Sequence, residues 1–427
     1  AIENLTIPKT IVTIGAGSFS DWSKLTKLTI SGNTLTSIGS KSFENAALLA
    51  DVYAEPTTAP AVQADSFSGA GTSVQGSKTF HVASVEAYSS WTTAASGYTM
   101  EALGPDYLSE GLYYRASGED PWKSEIPQTF TTLYVKTAGD NTVMTAEQMK
   151  AVADAVKALA TPATVDFSEV VYESETFPNS FKSNANLAGI VFPQNVTKTA
   201  SAAFQKTGMT SVTLLKGISY GSNAFDSCAS LVSVTVEEGV TEIGNYMFQN
   251  TKLTDVTLPN SVTKIGASAF NGCSLTTINF GQGVKTIENS AFQNCGELTE
   301  IILPDATETL GQNAFGDCPK LAKISLGKNM KTLEAYCFVG YSKGCPLLGD
   351  IICRATTPPT LKDDYGTGPF GGGWSPVAGK DVPAENRIIH LPKSADPVGG
   401  TGAYADSSWV KLTSSTYGFA FKYDVEG

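Results

Sequence analysis

Histidine is almost absent from this sequence, which contains two in 427 residues. So few histidines disfavour histidine-based catalysis and histidine-rich metal sites. Charged residues make up 16% of the chain, against roughly 25% in an average soluble protein. Acidic residues outnumber Lys plus Arg by 41 to 29, which gives a net charge of −12. An acidic chain without a basic cluster is unsuited to bind nucleic acid, which needs a Lys- and Arg-rich surface.

Long apolar runs and C-x-x-C motifs are also missing. No run of about 18 apolar residues occurs, so the sequence predicts no transmembrane helix. The seven cysteines form no C-x-x-C pair, which disfavours a zinc site. Hydrophobic residues nevertheless make up 41% of the chain, and this content favours a folded core over disorder.

A repeat of about 22 residues runs through most of the chain. It is marked by phenylalanines spaced 21, 23, 22, 22, 23 and 23 residues apart, namely Phe204, Phe225, Phe248, Phe270, Phe292, Phe315 and Phe338. An aliphatic residue precedes most of them by five positions, and Cys or Thr often follows three positions later. Each unit then enters an L-x-x-[IV]-x-hydrophobic run, such as Leu231, Val234 and Val236. The same unit opens the chain at Ile2, Leu5 and Ile7.

This pattern predicts a solenoid. The last two apolar residues of each run are two positions apart, so they share one face of a β-strand. Burial of about seven apolar side chains contributes ~10–20 kcal/mol per unit. Ordering the backbone costs about 1–2 kcal/mol for each of its residues. A single unit therefore cannot fold alone, and stacking must form a parallel β-sheet on one face, with short helical turns and loops opposite.

A longer duplication predicts two arrays. The segment YAEPTTAPAV at 53–62 matches ICRATTPPTL at 352–361. Each copy continues to a histidine, a tyrosine and a tryptophan, which are His81, Tyr88 and Trp91 in the first and His390, Tyr404 and Trp409 in the second. We interpret each copy as a cap that covers the last strand. The predicted organisation is an array at 1–98, a joining segment at 99–127 and a second array at 128–427, with repeats to about 346 and a cap at 347–427.

One amphipathic helix is predicted at 145–160. Thr145 is a suitable N-cap and Gln148 completes a capping box. Met149, Val152, Val156 and Leu159 fall on one face at helical spacing, and Pro162 ends the segment.

The repeat resembles the BspA-type leucine-rich repeat. It is fullest at 262–280, VTKIGASAFNGCSLTTINF, and at 284–303, VKTIENSAFQNCGELTEIIL. The chain departs from the pattern at 216–221, which is one residue short, and at Trp22 and Ala46, which replace cysteine. The resemblance implies a right-handed leucine-rich-repeat solenoid. It further implies a protein that is secreted or anchored at the outer cell surface, in a family of Bacteroides-like bacteria with some adhesins.

Catalytic motifs are weak in this sequence. Two G-x-S-x-G matches, centred on Ser219 and Ser342, fall at repeat turns instead of between a strand and a helix. The G-x-G-x-x-G match at 366–371 precedes Trp374 and Pro376, which cannot open a helix. We interpret the first two as chance matches and the third as an insertion loop. The sequence predicts no enzyme activity, no catalytic or metal-binding residue and no cofactor.

The repeat cysteines exchange with Thr, Ala and Trp at one position of the unit. This exchange indicates a small buried side chain, so we expect free thiols. Neighbouring strands lie about 4.8 Å apart, a spacing that also permits a disulfide. The pairing of Cys345 and Cys353 stays open.

Two surfaces are candidate binding sites. The first is the outward column of the sheet, comprising Ser233, Thr235, Asp255, Thr257, Thr277, Asn279, Glu300, Ile302, Lys323 and Ser325. It is mostly polar and suits contact with a large partner over several repeats, although a plain solvated sheet would show the same pattern. The second is an aromatic group in the joining segment, comprising Tyr107, Tyr113, Tyr114 and Trp122. These rings could stack on sugars or pack between the two arrays.

The predicted function is binding or adhesion outside the cell. The expected partner is a large extracellular protein, another cell or a glycan, and the oligomeric state stays open. The alternatives are a carbohydrate-binding accessory module of a surface glycan-use system, with the aromatic group as its platform, and a structural spacer without a ligand. The chain begins at Ala1 on an uncovered strand, so we expect either preceding chain or a covering element.

Overall fold

The computed structural model describes residues 2–31, 34–94, 96–103, 111–117, 122–138, 142–339, 342, 344–363, 368–371, 378–382, 386–395, 403–404, 407–414 and 417–426. The chain separates into two compact units. The first unit comprises Ala1–Glu125 and Lys136–Thr142. The second unit comprises Ile126–Val135 and Val143–Gly427. The boundaries expected at 98 and 127 stay predictions.

The first unit has two ladders of parallel strands, one from each part of the repeat. The longer ladder joins β1 (Asn4–Ile7), β3 (Lys27–Ile30), β5 (Asp51–Ala54), β7 (Thr79–Val82) and β8 (Thr99–Ala102) in this order. The shorter ladder joins β2 (Thr13–Ile14), β4 (Ser37–Ile38) and β6 (Ala61–Val62). The unit also holds helix α1 (Trp91–Ala94) and strand β9 (Gly111–Arg115). Every strand of the longer ladder is bonded to the next, so this sheet is unbroken.

The second unit opens with a short sheet and the predicted helix. Strands β10 (Thr132–Ala138), β11 (Ala163–Glu169) and β13 (Leu187–Val191) lie side by side in the order β13, β11, β10. Helix α2 spans Ala146–Lys157, within the predicted range. Thr145 caps it, and the capping box with Gln148 is present. Met149, Val152 and Val156 are buried, which confirms the amphipathic assignment.

The repeats of the second unit also form two ladders. The longer strands are β15 (Ser211–Leu214), β16 (Ser233–Val236), β18 (Asp255–Thr257), β20 (Thr277–Asn279), β22 (Glu300–Ile302), β24 (Lys323–Leu326), β26 (Asp350–Cys353), β28 (Ile388–Pro392) and β29 (Ala420–Val425). The two-residue strands are β12 (Thr176–Phe177), β14 (Lys198–Thr199), β17 (Glu242–Ile243), β19 (Lys264–Ile265), β21 (Thr286–Ile287), β23 (Thr309–Leu310), β25 (Thr332–Leu333) and β27 (Thr360–Leu361). Two 3₁₀ helices span Lys393–Ala395 and Ser408–Thr413. This arrangement confirms the predicted solenoid.

The repeat phenylalanines form one stacked column in each unit. Ring centroids of successive phenylalanines from Phe204 to Phe292 lie between 5.2 and 5.6 Å apart. Phe43 stacks in the same way on Phe19 and Phe67 at 5.3 and 5.1 Å. The column sets the rise per repeat, and the strands on the other face must match it.

The turn that carries each phenylalanine is more specific than a short helical turn. Backbone φ is positive two residues before and two residues after the ring, as at Asn223 (60°) and Ser227 (57°) around Phe225. Glycine adopts this left-handed conformation most readily, and small polar residues such as Asn come next. Alternate N–H groups then point to the next repeat, so that Phe225 N donates to Met247 O at 2.9 Å. The turns are therefore a third bonded column.

The longer ladder of the second unit is interrupted at three places. Within the fully described stretch 142–339, strand pairing stops between β13 and β15, between β16 and β18, and between β20 and β22. The interruptions can be compared with a spacing in the sequence. We count the residues from the position three after each phenylalanine (the Phe+3 position) to the first apolar residue of the run that forms the strand. The count is three before Leu187, Leu231 and Leu298, and two before Met209, Leu253 and Leu275. Every interruption falls where the count changes, but the count also changes between β15 and β16, which stay paired.

The two predicted caps share one set of hydrogen bonds. Tyr88 Oη donates to Pro56 O at 2.8 Å, and Trp91 Nε1 donates to Pro60 O at 2.9 Å. In the second unit Tyr404 Oη donates to Ala355 O at 2.7 Å, and Trp409 Nε1 donates to Pro359 O at 2.8 Å. All four rings are buried. The duplicated sequence therefore folds in the same way twice.

Candidate functional site

The outward column of the second unit is the candidate site, and we call it the strand face. Eight of its ten predicted residues are exposed, Lys323 is half-buried and Ser325 is 8% exposed. Of the residues between them on the strands, Val256, Ile301 and Ile324 are buried, and Val234 and Ile278 are half-buried. Alternation along each strand thus separates the core from the strand face.

A groove opens on the strand face where β20 and β22 are not paired. Its volume is about 410 Å³, within the range of small-ligand sites. The groove is lined by Thr277, Ile278, Asn279, Phe280, Gln282, Glu300, Ile302, Leu303, Pro304, Asp305 and Arg354. The interruption of the ladder therefore produces a concavity at four of the predicted site residues, and we call it the Ile302 groove.

Ile302 is the most exposed large apolar side chain of the described residues, at 59%. Register places it beside Ser325, which lies beside Ile352 on the next strand. The serine is buried because isoleucines flank it on both sides. An apolar row therefore crosses three strands of an otherwise polar surface.

Charges surround this row in pairs. Glu300 and Lys323 approach to 3.2 Å, and Asp305 and Arg354 to 3.0 Å. Arg354 also donates from Nη2 to Leu303 O at 2.9 Å, which fixes its side chain across the end of the groove. Pairs this exposed add little stability. Their arrangement around an apolar centre is instead suited to position the polar groups of a bound partner.

The aromatic group of the joining segment is only partly described, since Tyr107 lies outside the described residues. Tyr114 is 7% exposed, and burial raises its pKa to about 12. Tyr113 and Trp122 are half-buried. The Arg115 guanidinium carbon lies 4.3 Å from the Trp122 ring centroid and Lys136 Nζ lies 5.6 Å from it. Cations that stack on this ring compete with a sugar for its faces.

The serines of the G-x-S-x-G matches occupy structural positions. Ser219 lies in the repeat turn that bonds to Thr197 O, and neither histidine lines the groove around it. Ser342 bonds to Asp317 through both its N–H and its hydroxyl. Part of the G-x-G-x-x-G match, residues 366–367, lies outside the described residues.

The two histidines pair with carboxylates. His81 Nε2 lies 3.3 Å from Asp51 Oδ1, and His390 Nδ1 lies 2.8 Å from Asp424 Oδ1. Within the described parts of the chain, no group of three or more His, Cys, Asp or Glu side chains is arranged to hold a metal ion. The described helices also include none with the length and apolar character of a membrane span.

The seven cysteines are free and buried, which confirms the predicted thiols. Cys228, Cys273 and Cys295 each donate from Sγ to the phenylalanine carbonyl of the preceding repeat, at 3.1 to 3.3 Å. Thr251 at the Phe+3 position donates to Phe248 O at 2.8 Å. Cys and Thr exchange because both are small donors. Burial raises the pKa of Cys273 to about 11, so this thiol stays protonated at neutral pH.

A family model described as the BspA type leucine rich repeat region matches the chain in six copies, over residues 1–74, 165–220 and 218–344. These matches cover more than half of the chain. The chain belongs to the BspA-type leucine-rich repeat family.

Solved structures of similar proteins include other leucine-rich repeat proteins. A leucine rich cell surface protein from Faecalibacterium prausnitzii is 19% identical over 82% of this chain and 88% of its own, with a TM-score of 0.34. The pneumococcal vaccine antigen PcpA is 18% identical over 61% of this chain and 79% of its own, with a TM-score of 0.33. A leucine-rich repeat protein from Eubacterium ventriosum is 16% identical over 86% of this chain and 93% of its own, with a TM-score of 0.32. No curated protein matches the chain.

Sequence reasoning missed seven of the eleven residues that line the Ile302 groove in this BspA-type protein, and three of them matter most. Phe280 forms part of its lining, and Asp305 and Arg354 form its ion pair. Arg354 could have been found, because it lies two positions after Ile352 and so continues the outward alternation. The groove itself is signalled only by the changed count before Leu275 and Leu298.

Proposed function

We propose that this protein is a non-enzymatic binding module, secreted or anchored at the outer cell surface, whose strand face recognises a large extracellular protein. BspA-type repeats imply that location and that kind of work. The apolar row at Ile302 carries the proposal. Interfaces obtain most of their binding energy from a few apolar or aromatic anchors within a polar rim. Ile302, Ser325 and Ile352 with the surrounding ion pairs have this composition.

The test is a binding screen of the intact protein against extracellular matrix proteins and a glycan array. We expect a protein ligand whose affinity falls at least tenfold, about 1.4 kcal/mol, in Ile302→Asp. Val232→Asp is the matched control, since Val232 is also exposed, at 49%, and does not line the Ile302 groove. Equal losses in both variants would reject the groove as the binding site.

The same screen separates the alternatives. Sugar binding that Trp122→Ala abolishes would replace the proposal by the carbohydrate-binding module. Absence of binding in both screens would leave the structural spacer as the better account. Labelling of Ser219 or Ser342 by a serine-hydrolase probe would overturn the non-enzymatic assignment.

A further inference from the structure

The longer ladder is open between β13 and β15. These strands are one repeat apart, yet most of their Cα pairs are more than 8 Å apart. Bonded strands are separated by about 4.8 Å, so one additional strand between two others would need about 9.6 Å. The phenylalanine column stays closed alongside, with Phe204 5.3 Å from Phe225. The opening, which we call the β13–β15 cleft, is thus a wedge on the strand face.

Backbone groups of β15 point into the cleft. Thr210 O and Leu214 O accept bonds from Val232 N and Glu237 N on the β16 side. Because hydrogen-bonding direction alternates along a strand, Ser211 and Thr213 point the other way, toward β13. Tyr220 Oη accepts from Leu215 N at 3.1 Å and donates to Thr213 O at 3.5 Å. A side chain therefore occupies part of the space that a neighbouring strand would fill.

The lining changes from polar at the surface to apolar at depth. The cleft has a volume of about 490 Å³. Ser211, Thr213 and Thr235 at its mouth are exposed, whereas Phe204 and Phe225 at its floor are buried. Ile190 and Val212 on its walls are half-buried. No lining residue is charged. The complementary occupant is an uncharged extended segment with apolar side chains inward and polar ones outward.

We propose that the β13–β15 cleft binds an extended peptide segment of a protein partner, which adds a strand to the open edge of β15. This inference rests on the proposed function and names the form in which part of the partner is recognised. Backbone bonds to Ser211 and to Thr213 N would provide affinity, whereas Thr213 O already accepts from Tyr220 Oη. The floor at Phe204 and Phe225 would select an apolar residue at every second position of the segment.

The probe is the capped peptide LVSVTV, residues 231–236 of this chain, because it is uncharged and its strand pairs in parallel with the opposite edge of β15. Fluorescence anisotropy with the full chain should detect binding at peptide concentrations below about 1 mM. The same peptide with N-methyl groups at alternate residues should bind at least tenfold more weakly. Hydrogen exchange should show new protection at the amides of Ser211 and Thr213.

Matched variants locate the site without disturbing the core. Ser211→Trp should block the mouth and weaken binding at least tenfold, whereas Val232→Trp, at an exposed position that does not line the cleft, should not. Absence of binding, insensitivity to N-methylation, or protection at the edge strands β1 or β29 would overturn the inference. Ile302→Asp should leave peptide binding unchanged. Failure of the cleft and failure of the Ile302 groove are therefore distinguishable.

Discussion

The two units are built from the same repeat and close with the same hydrogen bonds, yet only the first has an unbroken sheet. In the first unit, β1, β3, β5, β7 and β8 are bonded in succession. In the second unit, pairing stops three times before β22 and then continues to β29. The difference shows that the core pattern alone does not determine the continuity of the strand face.

The count between the Phe+3 position and the strand differs between the units, although it does not decide pairing alone, because β15 and β16 stay bonded across a change from two to three. Leu25 and Leu49 in the first unit both follow this position by three residues, whereas the count alternates in the second unit. A one-residue change moves a strand by about 3.3 Å or turns its side chains to the opposite face. Apolar residues must stay inward, so hydrogen bonding between the strands is lost instead. Both grooves on the strand face lie where the count changes.

The largest expected effect tests what the units share. Phe43→Ala and Phe270→Ala should each lower the free energy of unfolding by about 3–5 kcal/mol, because each leaves a large cavity in a stacked column. Thr277→Ala, on the exposed face, should change it by less than about 0.5 kcal/mol. Urea denaturation measures all three. A cost for Phe270→Ala as small as that for Thr277→Ala would refute the inward assignment.

Restoring an equal count should remove the difference between the units. One residue inserted after Thr251 and one after Cys273 give a count of three at Leu231, Leu253, Leu275 and Leu298. We expect pairing to form from β16 to β22, and the free energy of unfolding to rise by roughly 2–4 kcal/mol, since each net hydrogen bond contributes about 0.5–1.5 kcal/mol. Hydrogen exchange at Thr277–Asn279 reports the new ladder.

A matched control for this experiment lies in the bonded part of the second unit. One residue inserted after Cys318 changes the count before Leu321 and should open the ladder between β22 and β24, at a cost of about 1–3 kcal/mol. If both insertions changed stability in the same direction, the count would not be the cause of the interruptions.

The closing modules should respond alike in the two units. Tyr88→Phe and Tyr404→Phe each remove one buried hydroxyl and leave a carbonyl without its donor, at Pro56 and Ala355. We expect a loss of about 1–2 kcal/mol in each. Thermal unfolding of the two variants provides the comparison. A loss of stability in only one of the two variants would show that the duplicated hydrogen bond does not stabilise the two units equally.

Core positions could be predicted from the sequence because burial imposes periodicity. The positions of Phe270 and of the Val256–Leu258 pair recur from repeat to repeat. The N-cap of α2 is marked by Thr145 and Gln148, which lie three positions apart. The Ile302 groove could be predicted only as a set of outward positions, because its depth depends on whether β20 and β22 bond. The sequence left open whether Tyr114 stacks on a sugar or packs in the protein, since aromatic side chains occur in both settings, and the structure buries it. Arg354 contacts Asp305 from a distant repeat, which no local pattern indicates.

The smallest effect concerns the Phe+3 position, where the first unit has Trp22 and Ala46 and the second has Cys or Thr. Cys295→Thr should change the free energy of unfolding by less than about 1 kcal/mol, because Thr207 and Thr251 at the same position satisfy their hydroxyls by donating to the phenylalanine carbonyl of their own repeat. Cys295→Leu is the control and should cost about 1–3 kcal/mol through overpacking between Cys273 and Cys318. Urea denaturation distinguishes the two variants. An equal loss in the free energy of unfolding for Cys295→Thr and Cys295→Leu would show that this column requires the shape of cysteine. The repeats of the first unit, which have no cysteine at this position, would then be packed differently.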